Sequence, residues 1–414
     1  MPMQWTNALS TCPSLEAAIT EVVDQITQSM PETVPDLGIL FISSAYATDY
    51  SRLVPLLLEK LPISTLIGCS GGGIVGMDGD HLPCEVEGEP ALSLTVAKLP
   101  ETTIQPFYIT GEELPDLDSS PQAWSKILDI DPQTQPDFIL LSDPFASRIN
   151  DLLQGLDFAY PGSVKVGGLA SVQVSGAPNA LFFHTPNHSG SALRQKGTVG
   201  IALSGNIKVE TIVAQGCRPI GHPYRVSQGE RNIILELAEM EGESAPSPPL
   251  VMLRQVIQTL NDKDQELVQN SLFIGVARNE FKLQLQQGDF LIRNLLGVDP
   301  RVGAMAIGDR VRPGQRVQFH LRDEKTSAED LQYLLENYTQ DQANNASGAL
   351  MFSCLGRGES LYGVPNFDSN LFRRYLGDIA LGGFFCNGEI GPVGGETFLH
   401  GYTSAFAIFR ESQP

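Results

Sequence analysis

Two stretches set a cysteine among glycines directly after an apolar run: Gly68-Cys69-Ser70-Gly71-Gly72-Gly73-Ile74-Val75-Gly76 and Phe384-Phe385-Cys386-Asn387-Gly388-Glu389-Ile390-Gly391-Pro392-Val393-Gly394-Gly395. Backbone without Cβ atoms lets a ligand come close, and Ser70, Asn387 and Glu389 are polar groups that need partners when buried. A thiol mechanism at Cys69 or Cys386 would need a base to form thiolate, and His400 is the histidine near Cys386 in sequence. The plain alternative is a turn or bulge whose cysteine is a small buried hydrophobe.

Other chemistries fit less well. Neither stretch contains the Gly-Lys-Ser/Thr of a phosphate-binding loop, and each is followed by extended chain where that loop requires a helix. Gly68-Cys69-Ser70-Gly71-Gly72 has the spacing of a nucleophile elbow, but Ile74 and Val75 again read as strand. His184 and His188 are four apart with Pro186 between them, which predicts a surface hairpin rather than a metal-binding helix face. His81 and Cys84 lie beside Glu85, Glu87 and Glu89, which predicts a solvated acidic loop. Gly216 to Val226 places Arg218, His222 and Arg225 between turn residues, as a pocket wall or a rigid crossing would. In Pro365-Asn366-Phe367-Asp368, Asp368 is suited to cap a helix, and Asn366 sits where a helix N-terminus favours an anionic ligand.

The elements that position these residues follow one pattern. A short apolar strand, a striped helix, a second strand ending in glycine, a glycine-rich turn and a further strand occur three times. The helices carry Leu53, Leu56, Leu57 and Leu61, then Ile149, Leu152, Leu153 and Leu156, then Leu371, Phe372, Tyr375 and Leu376. The strands after them read Leu66-Ile67-Gly68, Val166-Gly167-Gly168 and Leu381-Gly382-Gly383. An amphipathic helix over Ser14 to Met30 comes first. Strands and a helix between Ile233 and Leu321, followed by a helix with Ser327 and Asp330 as a capping pair, predict a degenerate fourth unit. The fold class is therefore α/β (α+β), repeated βαββ units forming mixed sheets flanked by helices. The divisions are 1–36 for the N-terminal helix, 37–230 for two units, and 231–414 for the degenerate β-rich unit plus the third.

With 27 Lys+Arg against 48 Asp+Glu, the net charge of −21 repels phosphate backbones and anionic membrane surfaces. Six dispersed cysteines without a CxxC, a start lacking a signal peptide and no long apolar stretch predict a cytoplasmic protein that binds neither nucleic acid nor membrane. Glu239 to Pro249 and Thr339 to Ser347 read as surface loops.

Several of these stretches are similar to the FIST family, a pair of adjoining sensory domains. Gly68 to Gly76 and Val166-Gly167-Gly168-Leu169-Ala170 resemble the N-terminal domain. Leu295-Leu296-Gly297-Val298-Asp299-Pro300, Gly308-Asp309-Arg310-Val311, Phe352-Ser353-Cys354-Leu355-Gly356-Arg357-Gly358 and Phe385 to Gly394 resemble the C-terminal one. The resemblance implies a non-catalytic intracellular input module, one FIST domain over 37–230 and the other over 231–414. Such a module binds a small ligand, with an amino acid as one candidate, and signals through a separate partner protein. The ligand-binding candidates are Cys69, Ser70, Arg218, Asn366, Cys386, Asn387 and Glu389. No cofactor is expected. Some relatives resemble haem proteins that sense nitric oxide and regulate histidine kinases, and for that alternative His222 and His400 are the candidate ligands. A thiol-dependent enzyme is the second alternative. The first 36 residues hold a single helix, too short for the F-box that eukaryotic relatives carry.

Overall fold

The apolar run before each striped helix pairs in parallel with the run after it. A computed structural model describes residues 2–412 apart from 32, 175, 187–189, 241–244, 280, 281, 283, 286, 287 and 342–344. These residues form two compact units, Met1–Val213 with Gln332–Pro414, and Ala214–Leu331.

In the first unit, Leu37–Ser43 pairs with Thr65–Gly71 around helix Tyr50–Lys60. Asp137–Ser142 pairs with Lys165–Leu169 around helix Ile149–Ala159. Gly348–Cys354 pairs with Ala380–Cys386 around helix Phe367–Leu376. Each leading strand also pairs antiparallel with a closing strand, Leu92–Lys98, Thr198–Gly205 or Ser404–Arg410. An edge strand completes each module on that side: Gln4–Ser10, Thr102–Ile109 and Lys208–Ala214. The first residues are thus more than the expected lone helix, since Gln4–Ser10 is a strand of the first module and precedes helix Leu15–Ser29.

The far edge of each sheet is finished by a hairpin from a different module. Gly73–Met77 and Pro83–Glu87, from the first, join the third through Val75 opposite Gly383 and Ile74 opposite Phe384. Leu181–His184 and Leu193–Arg194, from the second, join the first with Leu181 opposite Cys69. Glu389–Val393 and Glu396–His400, from the third, join the second with Ile390 opposite Gly167. Inner faces of the three sheets meet in one core holding Phe41, Ile67, Ile139, Val166, Phe352 and Phe384. There the Phe41 and Phe384 rings stack at 4.9 Å. The outer faces lie under the helices, which is why Leu37–Ser43 is buried at every position.

The expected degenerate fourth unit is instead a closed barrel in the second unit. Its order is Cys217–Glu230, Ile233–Glu239, Met305–Ile307, Phe290–Val298, Leu272–Ala277 and Arg316–Arg322. Closure leaves no strand edge to pair. Its core gathers Ile220, Tyr224, Leu237 and Phe319 with Met252, Leu253 and Val256 of helix Pro249–Thr259. Helix Glu324–Asp341 starts one turn earlier than the Ser327–Asp330 pair predicts. Asp323 is its cap, accepting from Thr326 N at 2.7 Å, while Ser327 Oγ donates to Gly216 O. His188 and parts of both predicted surface loops lie outside the described residues.

One glycine in each module sits where the neighbouring strand leaves no room for a side chain. A Cβ on Gly68, Gly167 or Gly383 would fall 2.3, 1.8 or 2.0 Å from the carbonyl oxygen of Leu40, Leu140 or Met351. Backbone must move to accept it, so Gly167→Ala and Gly383→Ala are each expected to cost about 3 kcal/mol or more in urea denaturation. A methyl at Gly79, which meets nothing within 4 Å, should change stability little.

Candidate functional site

The two glycine-cysteine stretches do not form an exposed site. Cys69 lies within a strand and Cys386 ends one, and both are buried in the shared core, where burial raises both thiols well above the ordinary value. That environment opposes thiolate. Nor are the two cysteines counterparts. With Gly68 and Gly383 in matching positions opposite Leu40 and Met351, Cys69 corresponds to Phe384 and Cys386 to Gly71.

The remaining candidates are dispersed. Ser70 Oγ accepts from Ala180 N at 3.1 Å. Asn387 is exposed, its N–H donating to Leu169 O at 3.1 Å. Glu389 is buried, with Oε2 accepting from Thr403 N at 3.0 Å. His400 is buried and Nε2 donates to Gly391 O at 3.0 Å. In the barrel unit, Arg218 is ion-paired with Asp264 and Asp323, and the exposed His222 Nε2 is hydrogen-bonded to Glu239 Oε2. The side chains of Ser70, Glu389, His400, Arg218 and His222 therefore each have a structural partner. Asn366 alone leads to a concentrated polar site.

That site lies at the C-terminal end of Gly348–Cys354, where the chain crosses to the first turn of Phe367–Leu376. Arg357 is 0% exposed and grips Asp368, 1% exposed, through two bonds: Nε to Oδ2 at 2.7 Å and Nη2 to Oδ1 at 3.0 Å. Nη2 also donates to the Tyr362 hydroxyl, and the Tyr362 ring stacks on Phe367 at 3.9 Å. The exchanged strand Pro83–Glu87 supplies the other wall. Glu85, 6% exposed, accepts from Ser369 N through Oε1 at 2.7 Å, while its own N–H donates to Asn366 Oδ1 at 2.6 Å. Asn366 thus holds a backbone amide of the hairpin from a left-handed conformation, φ 59°. Glu87 Oε1 accepts from Glu359 N at 2.9 Å.

Glu85, Glu87 and Glu89 were expected to be a solvated loop, but Glu85 is covered by a segment far away in sequence. Burial, and then the nearby Asp368 charge, push its carboxyl up to about 7. Two buried carboxylates here face one buried guanidinium, and that guanidinium is committed to Asp368.

Four polar atoms in this region are buried without a hydrogen-bond partner among the described residues: Arg357 Nη1, Glu85 Oε2, Ser353 Oγ and Ser404 Oγ. Ser353 and Ser404 face each other across the strands, one same-face step beyond the pair Met351 and Phe406. Phe372 stacks on Phe406 at 4.9 Å, and Asp368 lies one helical turn before Phe372. The two hydroxyls therefore lie under the helix's first turn. Matching positions in the other modules are resolved differently. They hold Ile42 opposite Leu92 in the first, and in the second Ser142 with Thr198, whose hydroxyls bond at 2.8 Å. Such a group of unsatisfied atoms calls for a guest molecule or water. The residue pattern that signals the site is the alternation Cys84-Glu85-Val86-Glu87, a strand signature, together with Arg357 inside an otherwise apolar and glycine-rich run.

Two outcomes follow. The folded-state value of Glu85 lies above its ordinary 4.5, so the folded protein holds a proton that the unfolded chain has released. Its contribution to stability is full below about pH 4.5 and is lost as pH rises towards 7. Glu85→Gln should remove this component, making the variant relatively more stable at pH 8 than at pH 5 in urea denaturation. Arg357→Met strands the Asp368 carboxylate and should cost about 3–5 kcal/mol in the same measurement.

No helix among the described residues is long and apolar enough to cross a membrane, and none of their His, Cys, Asp and Glu side chains form a group of three placed to hold a metal. Family models match along most of the chain, the FIST N domain over residues 36–240 and the FIST C domain over residues 249–392. An uncharacterized protein of Mycobacterium tuberculosis is 34% identical over 403 residues, covering 97% of this chain and 98% of its own length. One of Mycobacterium bovis is 32% identical over 401 residues, covering 96% and 97%. F-box only protein 22 of Pongo abelii is 30% identical over 175 residues, 38% of this chain and 40% of that protein. Among solved structures, a cyanuric acid hydrolase aligns over 100% of both chains at 8% identity with a TM-score of 0.31, too distant a likeness to bear on fold or chemistry. The Arg357 site falls within the FIST C match, and the chain belongs to the FIST family.

Proposed function

We propose that this protein is a cytoplasmic sensory module that binds a small molecule at the Arg357 site and signals through a separate partner protein. FIST domains are in general sensory, ligand-binding domains of signal transduction, and the finer reading rests on the site. The observation that carries it is the group of buried atoms without partners among the described residues, Arg357 Nη1, Glu85 Oε2, Ser353 Oγ and Ser404 Oγ, gathered beyond the C-terminal end of Gly348–Cys354. Ligands of open α/β sheets commonly sit at that end. An amino acid is the ligand class that the family resemblance favours. Binding rather than turnover is supported by the two core cysteines, whose thiols are pushed away from thiolate, and the reading calls for no cofactor. The net charge of −21 argues against nucleic acid and anionic membranes as partners. The six cysteines are free thiols, which suits a reducing compartment.

Thermal denaturation in the presence of each of the common amino acids tests the reading. At ligand concentrations about a hundredfold above Kd, binding adds about 2.7 kcal/mol, a shift of several degrees. At least one amino acid should produce it in the wild type. Arg357→Lys, which keeps the charge but loses the forked geometry, should abolish the shift. No shift from any amino acid, or an equal shift in Arg357→Lys, sinks the proposal.

A further inference from the structure

The charge arrangement around Glu85 narrows what the site accepts. Glu87 lies on its own strand, Asp368 on the facing helix, and Arg357 on the crossing segment with Glu359 and Tyr362 at the ends of its short helix. The neighbouring Cys84 thiol is raised by burial and by nearby carboxylates. Among these the single cation is Arg357, and Asp368 occupies its Nε and one edge of Nη2. Oε1 of Glu85 is satisfied by the neutral Ser369 N–H, and Oε2 has no partner among the described residues. A buried carboxylate without a counter-charge is stable only as the acid.

We infer that the ligand enters this site through a protonated amine, and that the amine takes the place of the proton carried by Glu85 Oε2. The inference rests on the ligand-binding reading above. Below about pH 7, Glu85 of the ligand-free protein carries that proton. When the ammonium docks, that proton passes to solvent and the ammonium donates to the new carboxylate, so one positive charge replaces another. Arg357 Nη1 and the Ser353 and Ser404 hydroxyls are left to hold an acceptor on the same ligand. A ligand with only a negative charge would meet Asp368 and Glu87 with no free counter-charge, and is refused. Because a proton leaves for each ligand bound, affinity should rise about tenfold per pH unit in the range where free Glu85 is protonated.

Isothermal titration calorimetry with glycine, methylammonium and acetate tests this, at pH 6 and pH 8.5, in two buffers of different ionisation enthalpy. Expected are binding of glycine and methylammonium with release of close to one proton at pH 6, little release at pH 8.5, and no binding of acetate. Glu85→Gln should bind glycine at least tenfold more weakly and release no proton. Binding by wild type that is independent of buffer and pH, or binding of acetate matching that of glycine, overturns the proton exchange and leaves the ligand-binding reading intact. Failure of all three probes to bind wild type at either pH overturns both.

Discussion

Each sheet of the three-module unit ends in a hairpin that belongs to a different module, and this exchange fixes most of what surrounds it. A parallel strand pair with its helix and closing strand leaves one edge of the second strand unpaired, with a row of backbone amides and carbonyls that cannot stay buried without partners. The first module's hairpin closes the third, the third's closes the second and the second's closes the first. Side chains then anchor each hairpin to its host's helix. Asp157 takes both the N–H and the hydroxyl of Thr397 at 2.7 and 2.8 Å, Tyr50 meets Phe182 edge to face at 5.7 Å, and Glu85 takes Ser369 N. The same mechanical job is done once by a carboxylate that also pairs with a lysine, once by apolar rings, and once by a buried acid whose second oxygen has no partner among the described residues.

That difference sets Glu85 apart from the other two anchors. An apolar pair such as Tyr50 and Phe182 holds a hairpin with no desolvation cost for charge, and Asp157 is shared with Lys165, 3.0 Å away. Glu85 meets neither condition. Ionised, it destabilises the fold, and the Arg357–Asp368 pair beside it is itself a costly arrangement that well-packed hydrophobic residues could replace. The serine pair beneath adds two more unsatisfied groups where the first module has Ile42 and Leu92. Stability alone gives no reason for four such features in one place.

The strand–helix–strand runs were legible because helix stripes and the glycines at 68, 167 and 383 are local signals. The hairpin exchange was not, since a strand's sequence states that it must pair and not with whom. The barrel was misread because short strands around one helix have the composition of a worn βαββ unit, and closure is a property of register. The glycine-cysteine stretches misled for a related reason: Gly-Cys-Ser-Gly reads as a turn, while the strand runs on to Gly71 and bends only there. Glu85 was hidden because its cover comes from residues 357–369, so a glutamate whose own neighbours look exposed is buried by tertiary contact. Asn366 lies at the helix start as expected, and the partner that its sequence did not foretell is the hairpin, whose Glu85 N–H donates to its side chain.

The location of the site also bears on how binding would be felt elsewhere. Glu85 lies on a hairpin whose other strand, Gly73–Met77, leads back to the central core, where Ile74 packs with Phe384 and Cys386. Ser369 and Asp368 are in the first turn of a helix that rests on Phe406 through Phe372. A change in the charge of Glu85 alters the strength of its bond to Ser369 N, because a carboxylate accepts a stronger hydrogen bond from a helix N-terminus than a neutral acid does. On the proposed reading, the hairpin of the first module and the helix of the third would therefore be drawn together more tightly in the ionised, ligand-bound state. Since the strands on either side are close-packed, such a change is transmitted as a shift of whole elements rather than absorbed locally. On the proposed reading, Glu85 of the first module and Ser369 of the third would thus respond together to one bound molecule.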